Sequence, residues 1–173
     1  MEFVVLVDEN DQQIGKMEKL EAHQKGLLHR AFSVLIFNDK GEMLIHQRAA
    51  DKYHCGGLWT NACCSHPREN EKITDAAERR LEEEMGFSVK TFPMNHFIYK
   101  ADFENGLIEH EFDHILTGIY NQIPTPNPDE VMDCKYMPLA DLEKDIKMFP
   151  EKYTPWFKII IQEHLQNITI KNT

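Results

Sequence analysis

Short apolar runs alternate with charged stretches along the chain, and the period of each run predicts its element. "FVVLV" (3–7), followed by "DENDQQIG", predicts a first strand closed by a turn. "KMEKLEAHQ" (16–24) predicts a short polar helix or an ordered arm. "AFSVLIF" and "EMLIHQR" flank "NDKG", whose Asn, Asp and Gly supply turn conformations, so residues 31–48 predict a β-hairpin. "TDAAERRLEEEMGF" (74–87) carries helix signals, with Thr74 as the expected N-cap and Gly86 as the left-handed residue that ends it.

Ala77, Leu81 and Glu84 fall at i, i+4 and i+7 of that helix, on one face. A solvated acidic end is the ordinary reading of Glu82, Glu83 and Glu84. Glu84 on the apolar side instead predicts an inward carboxylate, which needs a cation or donor. "HFIYKADF", "ENG" and "LIEHEFDHILTGIY" predict a second hairpin over 96–120. Its period of two sets Glu109, Glu111 and Asp113 on one face and His110 and His114 on the other. The carboxylate row reads either as a solvent face or as a metal-facing row completed from elsewhere.

"PTPNPDE" (124–130) predicts a loop, "VMDCKYMPL" a strand and "LADLEKDIKMF" a helix. "TPWFKIIIQEHLQ" predicts a last helix opened by Pro155, followed by a frayed polar tail over 167–173. This order of strands, helix, strands and helices predicts an α/β or α+β fold with a mixed sheet. A length of 173 residues fits a single domain, with a core over about 28–160 preceded by a short strand and arm.

The N-terminus carries no basic leader, and its apolar run is only five residues, so neither a signal peptide nor a membrane span is expected and a cytoplasmic protein is. A formal charge of −10 argues against a general nucleic-acid binder. Against that trend, Lys16, Lys19, Lys25 and Arg30 interleave with His23 and His29, and Arg48 and Lys52 follow. Such a set suits a small anionic ligand held together with a metal. No flavin or nicotinamide fingerprint is present. Cys55, Cys63, Cys64 and Cys134, read as reduced thiols, point to metal or catalysis. The loop "TNACCSHP" (60–67) is open to three readings from spacing alone: a structural zinc clamp, a redox pair or a catalytic segment.

Residues 65–87, "SHPRENEKITDAAERRLEEEMGF", resemble the Nudix box at Glu71, Arg79, Leu81, Glu83, Glu84, Gly86 and Phe87. Ser65 replaces the opening Gly of that motif, and Arg80 replaces the Glu after Arg79. Across about 130 residues, "LLHRAFSV", "QRAADK", "LWTNACCSHP", "EHE", "DEVMD" and "YTPWF" resemble the type 1 isopentenyl-diphosphate isomerases, which have the Nudix α/β/α sandwich. The resemblance implies interconversion of isopentenyl and dimethylallyl diphosphate, with Cys64 and Glu111 as proton-transfer groups and Tyr99 hydrogen-bonded near the carboxylate. It implies a divalent metal, Mn²⁺, Mg²⁺ or Zn²⁺, on His23, His29, His66, Glu109 and Glu111, with His23 the least fixed match because the preceding arm varies in length. It also implies a diphosphate-bridging Mg²⁺ on Glu84, phosphate contacts from Lys19, Arg48, Lys52 and Ser65, and a pocket closed by Trp156. Arg80 is expected to pair with Glu83 or Glu84. The expected partner is a small diphosphate substrate, and the expected assembly a monomer or homodimer, with no nucleic acid or membrane involved. The competing expectations are a Nudix pyrophosphohydrolase of a nucleoside diphosphate derivative and a non-catalytic metal-binding Nudix module.

Overall fold

The structure is a computed structural model that describes residues 2–52 and 54–168. Strands β1 (Phe3–Val7) and β2 (Gln13–Glu18) precede helix α1 (Lys19–Lys25). Then come β3 (His29–Phe37), β4 (Glu42–Arg48), β5 (Trp59–Asn61), β6 (Cys63–Ser65) and α2 (Ile73–Met85). The second half holds β7 (Phe92–Asp102), β8 (Ile108–Ile119), β9 (Val131–Pro138), α3 (Leu139–Met148) and α4 (Pro155–Ile159). The nine strands of the described residues share one mixed sheet.

β3 organises this sheet. It runs parallel to β8 along its whole length, from His29↔Glu111 to Phe37↔Ile119. Its other edge is shared in turn by β1 at His29, β6 at Phe32–Val34 and β4 at Ile36–Phe37, all antiparallel. The period of two then sorts its side chains. Val34 and Ile36 enter a core with Leu81 and Met85 of α2, whereas Leu35 and Phe37 enter a second core with α3 and α4. A sheet covered by helices on both faces follows, as an apolar run buried on two sides demands.

Several expectations are corrected. Residues 13–15, expected in a turn, and 16–18, expected in a helix or arm, form β2, which pairs with β1 from Phe3↔Glu18 to Val7↔Gln13. The segment 59–65 is not a loop but the two short strands β5 and β6. Thr74 does not cap α2, because the helix begins one residue earlier and Thr74 lies inside its first turn; Lys72 occupies the N-cap without a side-chain bond. Past α4, the expected regular helix widens into a π-helical turn over Ile160–His164 and a 3-10 turn over Leu165–Asn167. The tail expected over 167–173 lies outside the described residues from 169 onward.

Both hairpins form, and Gly86 ends α2 at φ 75°. A Cβ at Gly86 would also stand 2.2 Å from the Thr125 carbonyl oxygen. Glycine there serves the turn and the close approach of the 121–130 loop together.

Candidate active site

The parallel register of β3 and β8 sets His29 beside Glu111, and the end of β6 delivers His66 to the same place. α1 adds His23 from above the strand ends. The ligand atoms of these four buried residues all lie within 4.8 Å of one another. His23 Nδ1 lies 2.6 Å from the Lys19 carbonyl oxygen, and His29 Nδ1 lies 2.8 Å from that of Leu27. A carbonyl only accepts, so each Nδ1 carries the proton and each Nε2 lone pair points into the cluster. His29 Nε2 has no hydrogen-bond partner there and sits 3.6 Å from Glu111 Oε1. Burial pushes His66 down to about 4, which keeps its imidazole neutral. Oriented imidazoles around a buried carboxylate form a donor set that fits a divalent metal.

Glu109 lies just outside this four-residue set, with Oε1 3.5 Å from His23 Nε2. Burial alone would raise its carboxyl, but the His23 and His54 rings beside it outweigh that effect and hold Glu109 well below the usual carboxylate range. The sequence reading missed His54. Its Nε2 contacts Glu109 Oε1, and its ring stands 6.1 Å from that of Trp156. No sequence pattern points to it: the loop that carries it folds closely at Gly56, where a Cβ would meet the Ala50 carbonyl oxygen at 2.4 Å.

The carboxylate row of β8 faces inward, not toward solvent: Glu109, Glu111 and Asp113 are all buried. Opposite it on β7, Tyr99 donates to Glu111 Oε2 at 2.7 Å and lies 3.4 Å from Glu109 Oε2. Burial, then the neighbouring Glu111 charge, raises the Tyr99 phenol well above its ordinary range, so it stays a donor.

Strand geometry distinguishes the two adjacent cysteines. Cys63 is fully buried in the α2 core, while Cys64 packs against the other core and lines the cavity. The Cys64 thiol donates to Asn61 Oδ1 at 3.0 Å and lies 3.6 Å from Ser33 Oγ. Burial, followed by the Asp113 carboxyl nearby, pushes this thiol above its usual range and keeps it neutral. Ser33 Oγ in turn donates to Asp113 Oδ2 at 2.7 Å.

The same cavity is lined by Lys19, Arg48, Lys52, Ser65, Arg80 and Trp156. Its cations are already engaged: Lys19 with Glu2 at 3.1 Å, Lys52 with Glu130, and Arg80 with both Glu83 and Glu84. Arg48 Cζ stands 5.5 Å from the Trp156 ring centroid. Burial raises the Glu84 carboxyl despite the Arg80 charge beside it. Glu130 and His46 also line the cavity and were not anticipated. Burial and Arg48 push His46 down to about 3, which makes it a neutral wall.

Every residue that the isomerase resemblance assigns to proton transfer, diphosphate or metal thus lies in this cavity or in the histidine cluster at its base. Cys63, Cys64 and His66 do not converge as a zinc clamp, because successive strand residues point to opposite faces. Among the described residues, no helix is long and apolar enough to cross a membrane.

Comparison with known proteins agrees with this geometry. The NUDIX domain family model matches residues 27–157. The isopentenyl-diphosphate Delta-isomerase of Pectobacterium atrosepticum is 49% identical over 156 residues, covering 90% of this chain and 87% of that protein. The isopentenyl-diphosphate Delta-isomerase 2 of Photorhabdus laumondii is 50% identical over 160 residues, covering 92% and 90%. Among solved structures, a Deinococcus radiodurans protein superposes with a TM-score of 0.78 at 16% identity, over 95% of this chain and 99% of that one, and so shares the fold. The family model, the matched relatives and the histidine–carboxylate cavity agree: this chain belongs to the isopentenyl-diphosphate Delta-isomerase family of Nudix proteins.

Proposed function

We propose that the protein interconverts isopentenyl and dimethylallyl diphosphate by adding a proton at one end of the double bond and removing one at the other. The observation that carries this reading is the pairing, in one cavity, of a neutral buried thiol on Cys64 with the Tyr99–Glu111 carboxylate couple. An unactivated alkene is a weak base, so the transition state approaches a tertiary carbocation and needs two proton-transfer groups in a site that excludes water. Cys64 serves as one and Glu111 as the other, while Tyr99 holds the carboxylate in place. The Trp156 face contributes about 2 kcal/mol or more to a desolvated cation beside it.

His23, His29, His66, Glu109 and Glu111 would hold the divalent metal, with Mn²⁺ or Mg²⁺ the best match to a mixed nitrogen and oxygen donor set and Zn²⁺ the alternative. When bound, that ion supplies positive charge that fixes the two glutamates and favours their ionised form. At the other end, Lys19, Arg48, Lys52 and Ser65 bind the diphosphate, and Glu84 would hold the Mg²⁺ that accompanies it. Lys19 and Lys52 exchange their carboxylate partners for phosphate oxygens on binding, so the substrate replaces charge pairs already present.

The hydrolase reading loses support at Arg80. It replaces a helix carboxylate of the Nudix box, which leaves the helix one acid fewer for metal, and it pairs with Glu83 and Glu84. Incubation of purified protein with isopentenyl diphosphate and Mg²⁺ tests the proposal. The acid-labile allylic isomer should form, with solvent deuterium incorporated in D₂O. Release of phosphate or pyrophosphate without that isomer would replace this reading with the hydrolase.

A further inference from the structure

Beneath the cavity, four side chains make an ordered hydrogen-bond chain, and its direction can be worked out. Asn61 is fully buried. Its Nδ2 donates to the Val34 carbonyl at 3.1 Å and to the Cys63 carbonyl at 2.8 Å. Those two backbone acceptors fix the amide, since a flipped amide would set oxygen against oxygen. Asn61 Oδ1 therefore faces the opposite way, where it accepts from Cys64 Sγ at 3.0 Å and from Thr60 Oγ1 at 3.0 Å. Two donor hydrogens and two acceptor positions are all used.

Thr60 is likewise fully buried. Its one hydroxyl hydrogen goes to Asn61, so its oxygen accepts from the Trp156 indole Nε1 at 3.0 Å. Thr154 Oγ1, 2.9 Å away, must then be a second donor to it. The order is indole N–H to Thr60, Thr60 to Asn61, and the Cys64 thiol to the same Asn61 oxygen. The thiol also lies 3.6 Å from Ser33 Oγ and 3.9 Å from Thr60 Oγ1, and its contact with Asn61 is the shortest of the three.

Resting on the isomerase reading above, we infer that Thr60 and Asn61 are positioning residues that hold the Cys64 thiol and the Trp156 ring in one hydrogen-bonded frame. The proton-transfer sulfur and the aromatic face beside the cation are thereby aligned as a unit. β5 and β6 give the frame its rigidity. Thr60 pairs with His46 and Asn61 with Ile45 on β4, and Cys64 pairs with Ser33 on β3. Trp156 comes from α4, and the two residues before that helix reach the same region through the Trp59–Tyr153 bridge and the Thr154 N–H bond to the Trp59 carbonyl at 3.0 Å. The frame thus sets the distance between a sheet-borne acid and a helix-borne ring.

Thr60→Val keeps the volume and removes the hydroxyl; Thr60→Ser keeps the hydroxyl. For Thr60→Val, kcat should fall about tenfold or more with KM within about twofold, since alignment matters most in the transition state. Thr60→Ser should restore kcat to within about threefold of the parent. In a Trp156→Phe background, which has no indole N–H, Thr60→Val should cost less than about threefold further, because the link it breaks is already gone. A purely structural Thr60 would lower the melting temperature in both backgrounds and cost kcat equally in each, and that result overturns the proposal.

A second measurement needs neither turnover nor Thr60→Val. The chain has two tryptophans, so the ¹⁵N indole region shows two signals, of which Trp156→Phe deletes one. Cys64→Ala should move the Trp156 indole signal through Asn61 and Thr60 and leave that of Trp59 in place. An unmoved Trp156 signal refutes the frame even if the enzyme isomerises its substrate. Absence of isomerisation with a moved signal refutes the functional reading alone.

Discussion

Replacing Tyr99 by Phe isolates one bond in the site. The phenol donates to Glu111 Oε2 at 2.7 Å, and Tyr99 is only 6% exposed, so no bulk water replaces the lost hydroxyl. The ring itself is held by its neighbours, with Phe97 stacked at 5.5 Å between centroids, and Phe preserves that contact. A hydrogen bond to a charged group is worth about 1.5–3 kcal/mol. If Glu111 relies on this bond while it exchanges a proton, kcat should fall by about 10- to 150-fold, each 1.4 kcal/mol being about a factor of ten. KM should change by less than about threefold, because Tyr99 is assigned no contact with the diphosphate. Steady-state kinetics with isopentenyl diphosphate give both constants, and elemental analysis of the same preparation verifies that metal content is unchanged. A kcat within twofold of the parent at full metal content would show that Glu111 does not depend on Tyr99, and the carboxylate couple would have to be abandoned.

Glu111→Gln should abolish solvent deuterium incorporation in metal-loaded enzyme while substrate still binds; near-normal exchange would remove Glu111 from proton transfer. Cys64→Ala should eliminate turnover, whereas Cys63→Ala, which empties a packed position in the α2 core, should lower the melting temperature and keep substantial activity; equal loss in both contradicts the strand geometry. Alanine at His29 or His66 should lower bound metal in elemental analysis, and full occupancy in both variants would rule out that ligand set. Gly86→Ala combines a φ of 75° with a Cβ 2.2 Å from a carbonyl oxygen, so urea denaturation should show a loss of at least about 1–2 kcal/mol; an unchanged midpoint would mean that the 121–130 loop yields freely.

What the sequence disclosed depends on how local its cause is. The period of two over Glu109, Glu111 and Asp113 is a property of one strand, and it survives folding intact: all three are buried on one face. Glu84 is similar, because its place on the apolar side of α2 follows from 3.6 residues per turn. His23 was the least fixed of the ligand matches, yet it joins the cluster, because α1 is tied at both ends: by the Glu18 cap and by Gly26 at φ 61°. Three features were illegible for a different reason. β2 has no buried residue and no apolar period, and it pairs along the edge that β1 offers. β5 and β6 are three residues each, too short for any period to register. His54 enters the site through a loop whose course is set by a close backbone approach at Gly56, which carries no hydrophobic pattern at all.

The parallel pairing of His29 with Glu111 joins residues 82 positions apart in the chain, counting from 29 to 111. Closing so long a loop is entropically costly, and pairings of this kind form late and slowly. The histidine–carboxylate cluster therefore does not exist in any partly folded species that lacks the β3–β8 ladder. An ion cannot template the fold, and it can only lock a chain that has already found its topology. In stopped-flow refolding, added divalent metal should leave the folding limb of the chevron unchanged and slow the unfolding limb, so that the ion acts as a kinetic clasp on the finished protein.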